Sequence, residues 1–222
     1  MSTPKLVLAV ATGALGWLGL AASAGAATVT LESAGVYATT VSGATTINFD
    51  NGSCTTGGYA SCSGSYQVVI GDSGGVYAQP AGTNTQYLSI PNASIGGNTA
   101  TLVLGTLSDY FGLYWGSVDT YNAISFYRTG YAAPVASYTG SQLGDLIANG
   151  DQGSATSNRF VNFLFGNDRF DTVVLSSSSY AFESDNHAYR VAPVPLPAAA
   201  WLLLSGLVGF AALGRRRVDS SV

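Results

Sequence analysis

The stretch DYFGLYWGSVDTYNAISFYR, residues 109–128, decides the fold class. Asp109 to Gly116 and Asn122 to Arg128 are two runs of aromatic and β-branched residues. Ser117, Asp119 and Thr120 lie between them, residue types that favour turns. The spacing predicts two strands joined by a connector. The same grammar recurs along the chain at 28–32, 36–41, 44–50, 66–70, 85–90, 100–104, 135–139, 159–165, 170–177 and 182–191. Apolar and polar residues alternate in Ile47-Asn48-Phe49-Asp50 and in Phe160-Val161-Asn162-Phe163. Such spacing predicts an all-β fold, a jelly-roll-like β-sandwich. One segment reads differently. SQLGDLIANG, 141–150, has Ser141 as an N-cap, Leu143, Leu146 and Ile147 at helical spacing, and Gly150 as a stop. It predicts one short helix. No repeat of fixed period divides the chain.

The two ends have a different character. Residues 1–26 carry one basic residue, Lys5, then an apolar stretch from Leu6 to Leu20, then Ala24-Gly25-Ala26. That is the layout of a secretory signal peptide, cut after Ala26 by signal peptidase. At the other end, Leu196 to Leu213 is an uncharged apolar run. As a helix it would extend roughly 27 Å, enough for a bilayer core. A membrane helix over 197–213 is therefore expected. Arg215, Arg216 and Arg217 follow, and basic residues resist translocation. They should halt export and fix the orientation, leaving 218–222 in the cytoplasm. Residues 27–193 form one domain outside the membrane, of ordinary size.

From Ala27 to Pro197 there are eleven acidic residues against four arginines and no lysine, a formal net charge of −7. A surface of this sign repels phosphate backbones, so nucleic acid is excluded as a partner. The two cysteines, Cys54 and Cys62, flank Gly57-Gly58. In an oxidising compartment they are expected to pair. Closing this short loop would contribute about 2.5 kcal/mol by chain entropy. A zinc site would require more ligands than the segment offers.

Three constellations bear on chemistry. Gly71-Asp72-Ser73-Gly74-Gly75 resembles the sequence around the nucleophile of trypsin-like serine proteases. That mechanism needs a histidine base next to the serine. The single histidine, His187, follows Ser73 rather than preceding it. The segment is therefore read as a strand connection. Secondly, Glu183, Asp185, His187 and Tyr189 would share one face of a regular strand. Glu183, Asp185 and Asn186 could then supply oxygens to calcium. No other cofactor is expected. Thirdly, aromatic residues crowd 110–131, and Tyr114, Trp115 and Tyr121 are candidates for stacking on sugar rings. No pair of carboxylates stands out for glycoside hydrolysis, and no catalytic residue is assigned.

Val194-Pro195-Leu196-Pro197-Ala198, followed by an apolar span and an arginine cluster, resembles the PEP-CTERM sorting signal of Gram-negative exported proteins. Leu196 stands where the eponymous motif has Glu, which makes this the VPLPA variant. The resemblance covers 194–217. It implies an exosortase-type membrane protease as a partner, an inner-membrane-anchored precursor, and delivery to the cell surface or outside the cell. Pro195 and Pro197 bias their neighbours to extended backbone, the form a protease binds. The segments 110–127, 159–166 and 181–189 are similar to the β-rich ectodomains of exosortase-dependent surface proteins. That resemblance implies a non-enzymatic surface or matrix protein, associated with exopolysaccharide or biofilm. A carbohydrate-binding module is the alternative, and a secreted hydrolase the third choice.

Overall fold

The computed structural model describes residues 27–144 and 147–193, together with Leu202, Leu203 and Ser205. The signal-peptide reading of 1–26 and the sorting motif Val194 to Ala198 lie outside the described residues, as do Arg215 to Arg217. Of the apolar tail only those three helical, exposed positions are described. Among the described residues no helix is long and apolar enough to cross a membrane.

The fold is all-β. Among the described residues eleven strands pair antiparallel, centred on one long strand, β6 (Thr99–Gly116). The first half of β6 pairs with β3 (Ser61–Gly64) on one side and β10 (Phe170–Ser177) on the other. Its second half pairs with β9 (Arg159–Leu164) and β11 (Phe182–Val191). From β10 the sheet continues to β7 (Asn122–Tyr127) and β8 (Ala136–Thr139). Beyond β9 lies β1 (Thr28–Leu31). Beyond β11 lie β2 (Thr45–Ile47) and β5 (Tyr87–Ile90), the latter followed by β4 (Gln67–Val69).

The sequence pattern suggests separate strands at 100–104 and 109–116, yet the chain runs through both without a break. Gly105 sits at the change of partners with φ +74°, a left-handed conformation that is easy only for glycine. Residues 105–107 are exposed there, and the ladders on both sides change hands.

Past the bend, β6 is buried on both faces. Phe111, Leu113 and Trp115 enter the main core with Phe126, Phe163, Phe170 and Leu175. Tyr110 and Tyr114 point the other way, into a smaller cluster with Phe160 and Ala188. A strand covered on both sides has no polar face, hence a run from Tyr110 to Trp115 with no charged or amide residue. The second face is covered by residues 36–41, predicted as a strand but making none. Tyr37 packs edge-on against Tyr114, with ring centroids 5.1 Å apart, and the Thr39 and Tyr110 hydroxyls are 2.6 Å apart. This segment spends its side chains on the sheet's face instead of pairing at its edge.

The expected helix over 141–150 is replaced by a single 3-10 turn, Gly140–Leu143. Thr139, not Ser141, is its N-cap, and the Gln142 side-chain oxygen accepts from the Thr139 N–H. Gly144, with φ +103°, ends it six residues before Gly150. Cys54 and Cys62 are joined as expected, their Cα atoms 6.3 Å apart. Cys62 lies in β3, a strand too short and polar to stand out in the sequence.

Gly112 marks the tightest point of the second cluster. A Cβ there would collide with the Tyr110 hydroxyl and with the Phe160 ring, 2.6 Å away. Overpacking a buried strand costs about 1–3 kcal/mol. Gly112→Ala is therefore expected to lower the unfolding free energy measured in urea by that amount, whereas Gly74→Ala, with open space around it, should leave it unchanged.

Candidate functional site

The strand ends at Gly116, Asn122 and Phe182 bring four connecting segments together: 72–78, 117–121, 149–152 and 180–183. Between them lies a cleft of about 340 Å3. Asn158, fully buried, ties 117–121 and 149–152 to each other and to Ala81. Its Oδ1 accepts from the N–H groups of Ser117 and Ala81, each at 2.9 Å. Its Nδ2 donates to the carbonyls of Asp151 and Ser154. The Val118 N–H donates to the Ser157 carbonyl, and the Gly150 N–H to the Val118 carbonyl. Such a closed set of bonds holds the loops in one arrangement.

Glu183 forms one wall of the cleft and is only 2% exposed. Its Oε1 accepts from the Ala78 N–H at 2.9 Å and its Oε2 from the Ser117 hydroxyl at 3.2 Å. Burial pushes its carboxyl up to about 7, against the pull of those two donors. Asp119 faces the same cleft, and burial raises its carboxyl too. The Tyr121 hydroxyl, beside Asp119, donates to the Tyr180 carbonyl at 2.9 Å. Tyr180 is 46% exposed at the mouth. The lining has carboxylates, amides, hydroxyls and backbone, and no basic side chain.

The residues singled out by sequence are distributed otherwise. Asn186 has φ +47° and sits in a bulge where two residues of β11, Asn186 and His187, oppose one of β6, Leu113. The extra residue reverses the alternation beyond it. Glu183 and Asp185 thus stay on one face while His187 turns to the other, beside Phe49 and Phe111. The shared face expected of Glu183, Asp185, His187 and Tyr189 does not form. Asp185 is fully buried, accepting from the Asn186 N–H and the Thr85 hydroxyl, and burial pushes its carboxyl up to about 6. The Asn186 amide donates to the Tyr37 carbonyl. Among the described residues no three His, Cys, Asp or Glu side chains gather as a metal cluster.

Two of the three aromatic candidates are core residues. Trp115 is fully buried and stacks on Phe182 at 4.3 Å; Tyr114 is 1% exposed and donates its hydroxyl to the Ala81 carbonyl. Neither presents a ring to a ligand. Tyr121 alone reaches the cleft. Sequence reasoning passed over Asp119 and Tyr180. Their signal was their place in Gly-, Asp- and Ser-rich connectors, where binding residues concentrate.

Gly71 to Gly75 is a tight connection, as read. The Ser73 carbonyl accepts from the Val76 and Tyr77 N–H groups, and Asp72 accepts from the Gln79 N–H. His187 is fully buried, with Nδ1 2.7 Å from the Tyr59 hydroxyl and Nε2 2.9 Å from the Ser184 hydroxyl. Both ring nitrogens are committed, and burial lowers its pKa to about 3. A fluorophosphonate probe is accordingly expected to leave Ser73 unlabelled, as judged by mass spectrometry of the peptide that contains it.

Comparisons with protein families, curated proteins and solved structures found no match to this chain.

The buried ionisable groups predict a pH dependence. A carboxyl whose folded pKa is raised stabilises the fold below its unfolded value and loses that contribution as pH rises through the folded one. For Glu183 the window runs from 4.5 to about 7, and for Asp185 from 3.8 to about 6. His187 acts oppositely, losing stability as pH falls from 6.5 towards 3. The Glu183 contribution is at most about 3 kcal/mol. The chain should be more stable to urea at pH 5 than at pH 7.5, and Glu183→Gln should flatten that difference.

Proposed function

We propose that the chain is a non-enzymatic exported protein of a bacterial surface or extracellular matrix, delivered by an exosortase-type pathway. The observation that carries this reading is the order of parts at 194–217: a VPLPA motif, an apolar span and an arginine cluster. Signal peptidase removes 1–26, the span halts in the inner membrane, and the protease acts near Pro195 and Pro197. The freed domain then works at the surface, in association with exopolysaccharide.

Two features of the ectodomain support the reading. The Cys54–Cys62 bond is of the kind an oxidising compartment permits. The low charge leaves a hydroxyl- and amide-rich exterior suited to a polysaccharide matrix. We further propose that the domain is a β-sandwich. Phe126 of β7 lies 5.1 Å from Phe163 of β9, and 5.7 Å from Phe111 of β6. Side chains from β7 and β9, strands that do not pair with each other, thus meet as those of facing layers do.

The cleft favours a second reading, a carbohydrate-binding module, with its contacts moved from Tyr114 and Trp115 to the loops. Two carboxylates in a cleft would also suit a hydrolase. Glu183, however, is buried with both oxygens held by Ala78 and Ser117, so it serves the loops rather than a leaving group. Binding is the preferred activity of the site.

Mass spectrometry of the protein from its native host tests the sorting proposal. The N-terminus should be Ala27, and the C-terminus should fall near Val194 to Ala198. Deleting the exosortase should restore the tail through Val222. An unprocessed C-terminus in the wild type would refute the reading.

A further inference from the structure

We infer that the cleft between Glu183, Asp119 and Tyr180 is a binding site for a neutral, hydroxyl-rich glycan. This deepens the matrix-protein reading by naming a ligand class and a place for it.

The chemistry of the lining narrows the ligand. Carboxylates and backbone carbonyls accept hydrogen bonds, so the ligand must bring donors. Anionic ligands would meet Asp72, Asp119 and Glu183 without any basic side chain to balance them. A metal ion would need a convergent set of ligands, and none gathers among the described residues. A wholly apolar ligand would strand the polar lining without partners. Sugar hydroxyls both donate and accept, and the C–H face of a sugar ring can rest on a tyrosine. Tyr180 stands half-exposed at the mouth for that purpose, with Tyr121 beside it. The volume, about 340 Å3, lies at the lower end of small-ligand sites, which suits a short segment of a chain passing through.

The opposite wall is built to admit a ligand closely. Gly74 and Gly75 line the cleft, and a Cβ at either would meet no heavy atom within 4 Å. Their backbone is open to the cleft, so a sugar can approach the peptide groups directly. Glu183 is pinned by Ala78 and Ser117, and Asn158 pins Ser117 in turn. The walls of the cleft are therefore in place before the ligand arrives, which limits the ordering that binding must impose.

The test uses the full chain, purified in a zwitterionic detergent. It is presented with an array of neutral oligosaccharides of glucose, galactose, mannose and xylose, and the strongest match is titrated by calorimetry. Gly74→Trp fills the cleft at a position with open space and no left-handed backbone. Tyr180→Ala removes the platform. Each variant should bind at least tenfold more weakly than the wild type while melting at the same temperature. Retention of no neutral glycan would overturn the inference, as would binding that Gly74→Trp leaves unchanged. Binding confined to cationic amino sugars or to calcium would also overturn it. None of these outcomes bears on the processing of the C-terminus, so the sorting proposal stands or falls separately.

Discussion

A strand can serve two pairs of neighbours only if it changes hands along its length, and β6 is organised around that constraint. Its eighteen residues carry four ladders, two on each side of Gly105. The left-handed backbone at Gly105 lets one strand bend without ending. Both halves then contribute to one core, because Leu102 and Leu104 before the bend join Phe111, Leu113 and Trp115 after it. Burial of these side chains, at about 1.5–3 kcal/mol each, is the main force on the fold. Everything else is placed relative to β6: β9 and β11 beside it, β2 and β5 beyond, and residues 36–41 across its second face.

The bulge at Asn186 is the second device. It adds one residue to β11 opposite β6, and so assigns the two ends of that strand to different environments. Upstream, Phe182 and Ser184 face the core while Glu183 faces the cleft. Downstream, His187 takes the core position and Ala188 the other face. In a regular strand through Asn186, His187 would lie on the side of Glu183. The shift also gives the imidazole two hydroxyl partners, which satisfy a polar ring inside an aromatic cluster.

The cleft is a consequence of where strands stop. β6 ends, β7 begins and β11 begins at one end of the sheet, and their connectors meet there. Asn158 turns that meeting into a fixed geometry, bonding to four residues in three segments from a fully buried position. A neutral-sugar site suits such a place. Its acceptors are rigid and partly withdrawn from water, and its aromatic surface remains exposed at the rim. Burial raises the Glu183 and Asp119 carboxyls, which couples the same site to the acidity of its surroundings.

The strand grammar was legible in the sequence because alternation and turn residues are local signals. The aromatic runs at 109–116, 122–128 and 159–165 became strands, and the two cysteines paired. Local signals also misled. The apolar spacing of 141–150 suggested a helix, but Gly144 stops it after one turn. The β-branched run at 36–41 suggested a strand, but it lies across the second face of β6, where Tyr37 packs on Tyr114 and Thr39 meets Tyr110. The site was the least legible part. Tyr114 and Trp115 have the composition of a sugar platform, yet β6 is covered on both faces, which no local pattern reveals. The sequence by itself determined the all-β class and the acidic balance, for strand patterning depends on residues close together in the chain and net charge on composition alone. Only the tertiary structure decided which carboxylates share a cleft, because Asp119 and Glu183 meet through strand register, and one bulged residue in β11 sets which side chains face it.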